Sequence, residues 1–153
     1  MSIVCRKAKE EDVQTLFEII QGYAEKGIML PRSIETLYYQ MDTFVVAESG
    51  DQMVGCGSLC RLGNDLVEIR SLGITEGFKG QGIGRKLVDF LVEEARMLGI
   101  PKVMALTYEV EFFEKNGFIV VPKEIFPEKV WKDCVHCKKQ TCCDEIAVLK
   151  RLG

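Results

Sequence analysis

The sequence predicts a single α/β domain over residues 1–153, a mixed and mostly antiparallel twisted sheet of six to seven strands flanked by about four helices. Three observations lead there. A chain of 153 residues has the length of one ordinary domain, and folding at that size removes roughly two-thirds of its surface from water. Its composition, 47% hydrophobic and 28% charged, is that of a globular protein and excludes disorder, collagen and coiled coil. Early strands follow one another through tight turns, whereas a later strand–helix–strand unit needs a crossover. That combination gives antiparallel neighbours first and parallel neighbours later.

The elements follow in order. Residues 3–8 read as a first strand. Val13, Leu16, Phe17 and Ile20 recur at helical spacing, so residues 10–24 form an amphipathic helix. Glu10, Glu11 and Asp12 fall in its first turn, where the helix dipole favours acids. Ser33 caps a short second helix ending at Tyr39 or Gln40. Residues 43–48 and 53–61 flank the turn Ser49-Gly50-Asp51-Gln52 and form an antiparallel hairpin. Residues 66–74 form a longer strand whose alternation puts Leu66, Glu68, Arg70, Leu72 and Ile74 on one face. A run of glycines precedes the clearest helix of the chain, whose apolar stripe is Ile83, Leu87, Val88, Leu91, Val92 and Ala95. Gly99-Ile100-Pro101 stops it. Residues 103–108 are a buried-type strand, 109–116 a short helix closed by Gly117, 118–121 a strand, and 145–149 the last strand. Between them, residues 122–143 form an irregular, cysteine-rich insert with a short helix near 127–133.

Charge and cysteine usage narrow the class. Twenty basic residues against 23 acidic ones give a net charge of −3, which argues against a nucleic-acid partner. No apolar run approaches the roughly 20 residues of a membrane helix, so no membrane partner is expected. The N-terminus meets Arg6 and Lys7 at once, without the core of a secretion signal. Seven cysteines, an odd number, then read as reduced thiols, and the expected compartment is cytoplasmic. Cys5, Cys56 and Cys60 lie in apolar stretches and act as small hydrophobes. Cys134, Cys137, Cys142 and Cys143, with His136, leave three readings: thiols packing a loop, a zinc site, or a Cys134–Cys137 redox pair. The second cysteine pair lacks its own two-residue gap, so four zinc ligands are not supplied locally, and no metal is required.

The strongest chemical signal lies at Gly77, Gly80, Gly82 and Gly84. Glycines let the backbone approach a ligand, and the helix start behind them offers N–H groups and a positive dipole. Such a turn suits a pyrophosphate or similar anion. Lys79, Arg85 and Lys86 add positive charge, with no acid before Asp89. Neither of two familiar phosphate loops fits. Gly82 is followed by Ile83 rather than Lys-Ser/Thr, and Gly80-x-Gly82 is followed at the third position by Arg85.

The run IRSLGITEGFKGQGIGRKLVDFLVEEA closely resembles the acetyl-coenzyme A motif of the GNAT acetyltransferases. The resemblance implies that Leu72, Gly73 and Ile74 lie along the pantetheine arm, with Leu72 and Ile74 lending it backbone groups. It implies that Lys79, Gly80, Gln81, Gly82, Ile83, Gly84 and Arg85 hold the pyrophosphate. Lys79 stands where the family's loop begins with Arg or Gln, keeping the charge but not the planar fork. GIMLPRSIETLY, EIRSLGI, LTYEVEFFEKNGF and VWKDCVHC…CDEIAV extend the likeness to stand-alone amino-acid N-acetyltransferases related to N-acetylglutamate synthase. That implies the GNAT fold, acetyl-coenzyme A as co-substrate, a small amino acid as acceptor, and a homodimer. The expected reaction is direct acetylation of the glutamate α-amine in a ternary complex, an opening step of arginine biosynthesis.

An amino-acid acceptor asks for a base, a cation for its carboxylate, and a proton or dipole for the leaving thiolate. Glu68 is the candidate base; the competing role is a structural ion pair with Arg70 on its own strand face. Arg32, in the loop before the second helix, is similar in position to the arginine that related synthases use for the substrate, and guanidinium bonds a carboxylate bidentately. Arg70 is a second clamp candidate. Many GNAT enzymes place a tyrosine just before Glu-Lys-x-Gly-Phe, where this chain has Phe113. Tyr108 is the nearest alternative acid, or else a wall of the pocket. Classical synthases tend to carry arginine at the position of Tyr108, which opens the way to a neutral acceptor such as glutamine. A catalytically silent acyl-coenzyme A sensor is the reading from outside the enzyme class.

Overall fold

The computed structural model describes residues 2–125 and 145–152. The cysteine segment from Cys134 to Cys143, His136 and the helix expected near 127–133 lie outside the described residues. Among these, the strands are β1 (Ile3–Lys7), β2 (Phe44–Ser49), β3 (Gln52–Arg61), β4 (Leu66–Ile74), β5 (Lys102–Thr107), β6 (Ile119–Val121) and β7 (Ile146–Arg151). The helices are α1 (Val13–Glu25), α2 (Ile34–Gln40), α3 (Ile83–Met97) and α4 (Val110–Lys115). The strands form one mixed sheet in the order β1-β2-β3-β4-β5-β7-β6, as the predicted α/β class requires. Contacts group the chain into two compact units, Met1–Leu59 with Ile69–Glu93, and Cys60–Glu68 with Glu94–Gly153.

In the first unit β1, β2 and β3 pair antiparallel in sequence order; the tight-turn reading holds for β2 and β3, whereas β1 is joined to β2 through α1 and α2. Leu16 and Ile20 of α1, Leu37 of α2, and Phe44, Val46 and Cys56 of the strands close one core and are fully buried. Each large apolar side chain buried in this way contributes about 1.5–3 kcal/mol. Ser33 caps α2 as expected, its Oγ accepting from the Thr36 amide at 3.1 Å. The start of α1 differs from expectation. Glu10–Asp12 form a separate 3-10 turn and α1 begins at Val13. The reason is Asp12, which is drawn into tertiary bonds. Its carboxylate accepts from the Lys9 amide at 2.7 Å and from two Arg6 nitrogens at 2.8 and 3.0 Å. Arg6 also donates to Glu48 at 2.8 Å, so one guanidinium ties β1, the 3-10 turn and β2 together.

In the second unit β4 and β5 pair parallel from Leu66↔Lys102 to Glu68↔Met104, the outcome the crossover predicted. β7 then runs antiparallel to both β5 and β6, inserting between two strands that precede it in the chain. Leu62, Leu66, Met104, Ala147 and Leu149 form the core there. Phe113 packs edge-on against Phe112 and Phe118, with ring centroids 5.2 and 5.1 Å away.

Helix α3 has the stripe read from its spacing: Ile83, Leu87, Val88, Leu91, Val92 and Ala95 are all buried. It ends where Gly99-Ile100-Pro101 said it would, with the Ile100 amide bonding Ala95 O at 3.0 Å. No helix among the described residues is long and apolar enough to cross a membrane.

Candidate active site

The glycine turn is clipped at both ends and open in the middle. Behind β4, the Thr75 amide donates to Val54 O at 2.9 Å and the Thr75 hydroxyl to Met53 O at 3.2 Å. The Phe78 amide closes a turn onto Thr75 O at 3.0 Å. At the far end Ile83 is 1% exposed and anchors the helix start. Between them Gly77, Gly80 and Gly82 have φ of 91°, 81° and 77°, a left-handed backbone that side chains other than glycine's rarely adopt. Lys79, Gly80, Gln81, Gly82, Arg85 and Lys86 are all exposed. The Lys86 amide to Gly82 O bond, 3.2 Å, closes the first turn of α3. The amides of Ile83, Gly84 and Arg85 precede any intrahelical acceptor. Of the residues expected at the pyrophosphate, Ile83 therefore offers backbone only, while Lys79 and Arg85 also offer charge.

Strand β4 is less regular than its alternation suggested. Ser71 has φ of 53°, the only positive value outside glycine among the described residues. A left-handed residue inside a strand interrupts alternation. The single face expected for Leu66 through Ile74 is thus broken at Ser71. Beyond the break, the side chains of Leu72 and Ile74 lie with Leu91 and Leu87 of α3, around Gly57 and Gly55 of β3. Gly73 faces the other way, toward Ile19 and Tyr23 of α1. Tyr23 bonds the expected pantetheine strand directly: its hydroxyl donates to Ile74 O at 2.9 Å and accepts from Ile74 N–H at 3.0 Å. The backbone groups of Ile74 that were expected to face the cofactor are therefore engaged by a side chain. Sequence reasoning missed Tyr23. The signals were its place three residues after Ile20 on the α1 stripe, and a glycine inside a strand, which marks close approach.

Arg32 is half-buried and held from two sides. Its Nε donates to Ser71 Oγ at 3.3 Å, and its terminal nitrogen donates to Gln40 Oε1 at 2.6 Å. The structure thus brings Arg32 next to Arg70's neighbour on β4. Ser71 and Gln40 were not anticipated, because neither residue type nor spacing marks an arginine's partners. Arg70 is half-buried, and its carbonyl accepts from Ser58 Oγ at 3.2 Å.

Glu68 and Tyr108 belong to the second unit. Glu68 is 2% exposed and closes the parallel ladder opposite Met104. Tyr108 lies one residue past β5 and is 40% exposed. Phe113, at the position where many GNAT enzymes have tyrosine, is 4% exposed within its aromatic trio. Among the described residues, no group of three or more His, Cys, Asp or Glu side chains could hold a metal ion. The Cys56 thiol is fully buried and pushed up to about 12 by desolvation, so it is no nucleophile.

Known proteins are similar to this chain in sequence and in fold. Residues 40–120 match the acetyltransferase (GNAT) domain. The chain is 40% identical over 147 residues to an uncharacterised N-acetyltransferase of Chlorobaculum tepidum, spanning 96% of this chain and 95% of that one. It is 39% identical over 133 residues to an amino-acid acetyltransferase of Mycobacterium tuberculosis, spanning 82% and 76%. Among solved structures, N-acetylglutamate synthase from Neisseria gonorrhoeae, complexed with coenzyme A and N-acetyl-glutamate, matches with a TM-score of 0.89 at 26% identity. The match covers all of this chain and 36% of that one. A Mycobacterium tuberculosis protein in complex with CoA and NLQ matches with a TM-score of 0.85 at 33% identity, covering 98% and 99%.

Proposed function

The chain belongs to the GNAT acetyltransferase family, and on that premise we propose that it transfers the acetyl group of acetyl-coenzyme A to the α-amine of L-glutamate, an opening step of arginine biosynthesis. The observation that carries the reading is the glycine turn: left-handed residues, exposed cations and the start of α3 converge on a single short segment. An anion there meets N–H groups and positive charge without needing a metal.

In the proposed reaction the amine nitrogen attacks the thioester carbonyl carbon within a ternary complex. The new C–N bond forms, the C–S bond breaks, and coenzyme A leaves as its thiolate, while the nitrogen, which carries two protons after attack, gives up one of them to water or to the departing sulfur. The acceptor arrives as an ammonium, so a proton must leave nitrogen before attack; Glu68 takes it, directly or through one water. Tyr108 is the candidate donor for the departing sulfur. The donor side draws on Leu72, Gly73, Ile74 and the amides from Lys79 to Arg85. Arg32 clamps the α-carboxylate, supported by Ser71 and Gln40, which fix its plane. Arg70 is a second clamp. Because the fork is fixed beforehand, less side-chain entropy is lost when the acceptor binds.

One observation favours a second acceptor. Tyr108 stands where classical synthases tend to carry arginine, and a neutral side chain there suits glutamine. The experiment follows thiol release from acetyl-coenzyme A with single amino acids. Release with glutamate is the expected outcome. Release with glutamine but not glutamate transfers the reading to the neutral acceptor. Coenzyme A binding with no release under any amino acid leaves a sensor and overturns the enzyme reading. Within the reading, Arg32→Ala should raise the KM for the amino acid roughly thirtyfold, about 2 kcal/mol, and leave the KM for acetyl-coenzyme A unchanged.

A further inference from the structure

We propose that Tyr23 sets the affinity for acetyl-coenzyme A by competing with the cofactor for groups of its own binding strand and loop; this rests on the acetyltransferase reading above. Successive residues of a strand send their backbone groups to opposite edges. The Thr75 amide points to Val54 of β3, so the N–H and C=O of Ile74 face the edge away from β3. A neighbouring strand, or an extended ligand lying along that edge, would normally bond both. Here a single hydroxyl does so, at 3.0 and 2.9 Å. The ring reaches that edge by crossing the open face of Gly73. A Cβ built on Gly73 would stand 2.8 Å from Tyr23 Cε2, so the approach requires glycine at this position. The same ring also carries the Lys79 ammonium 5.4 Å from its centroid. Two of the groups that Tyr23 meets, the Ile74 backbone and Lys79, are assigned to the cofactor, the first to pantetheine and the second to pyrophosphate; a third, the Lys26 ammonium 5.8 Å from the ring centroid, is not.

Pantetheine amides bonding Ile74 must therefore take the place of the Tyr23 hydroxyl. The ring lies beside the arm and the hydroxyl tunes how tightly the arm is held. Tyr23→Phe keeps the ring and its stacking on Lys79 but removes the competitor. Coenzyme A should bind this variant about fivefold more tightly, the worth of a net hydrogen bond. Adenosine 3′,5′-bisphosphate, the nucleotide end of coenzyme A without pantetheine, should bind parent and variant equally. Weaker or unchanged coenzyme A binding, or an equal change for both ligands, overturns the proposal while leaving the acetyltransferase reading intact. A parent protein that binds no coenzyme A removes both.

A second measurement does not depend on the variant's folding. In the parent protein, the nuclear Overhauser contact between the Tyr23 ring and the Ile74 amide should weaken on adding coenzyme A and persist with the bisphosphate. Persistence at full strength with coenzyme A overturns the competition.

Discussion

Two charged clusters of the first unit behave in opposite ways. In the Arg6–Asp12–Glu48 clasp every charge meets its partner: Arg6 bonds both carboxylates at 2.8 Å, and Asp12 is only 9% exposed. The titration behaviour follows. Hydrogen bonds from Arg6 hold the Asp12 and Glu48 carboxyls below their ordinary range, and the two carboxylates push the guanidinium higher still. In the glycine turn the cations are exposed, Lys79 beside the Tyr23 ring at 5.4 Å from its centroid. Arg85 and Asp89 approach only to 4.0 Å with both side chains mostly exposed, a pair worth little. The turn instead holds three left-handed glycines and a helix start, a costly local geometry that makes no core. Charges that satisfy one another build the fold; charges left exposed beside oriented backbone amides do not.

The comparison can be broken most forcefully at Asp12. Asp12→Ala removes both Arg6 bonds and the Lys9 contact from a buried position, and should cost about 2–3 kcal/mol in urea unfolding. The KM for acetyl-coenzyme A should stay within about twofold of the parent. A KM that moves with stability would mean that the clasp supports the turn. The variant also carries a pH signature. Because the folded carboxyl sits below its ordinary value, the clasp contributes fully above about pH 4 and loses its contribution as pH falls through the folded pKa. The stability gap between parent and Asp12→Ala should be constant near neutrality and close in acid; a gap that widens there is the wrong sign.

Gly82→Val tests the other cluster. A left-handed backbone costs a non-glycine residue about 1–2 kcal/mol, and a β-branched side chain more. We expect roughly thirtyfold lower kcat/KM for acetyl-coenzyme A, about 2 kcal/mol, against a smaller loss of folding stability of about 1 kcal/mol, because the turn closes no core and can relax locally. Equal losses of stability and activity would put the turn in the same class as the clasp. The smallest effect belongs to Lys79→Ala. One exposed charge on an anion is worth about 1 kcal/mol, so the KM for acetyl-coenzyme A should rise about fivefold at low salt. The difference should shrink as salt is added, since exposed charges are screened. Indifference to salt would point to a role for Lys79 through the Tyr23 ring instead.

Much of the fold was legible because it rests on short-range periodicity. The bounds of β4 at Leu66 and Ile74, the stripe and stop of α3, and the Ser33 cap all follow from residues within a turn or two of one another. The glycine turn was legible for the same reason, since residue type alone sets which positions tolerate φ > 0. Other features were not. Nothing in residues 145–149 says that the last strand enters between β5 and β6, because strand order depends on which edge is left open when the chain returns. The 3-10 start of α1 combines a local contact, the Lys9 amide on Asp12, with the bonds of Arg6 to Asp12 and Glu48 that no local spacing shows. The break at Ser71 carries no glycine to announce it.

The sequence by itself determined the class of the sheet, the helix that follows the turn, and the chemistry that the turn invites. All of these are decided by neighbours along the chain and by dihedral freedom. Only the tertiary structure decided which side chains stand against β4. Tyr23 meets Ile74 across 51 positions and Arg32 meets Ser71 across 39, contacts that exist because helices and strands pack core against core. Packing, unlike periodicity, is a property of the whole chain at once, and no local spacing encodes it.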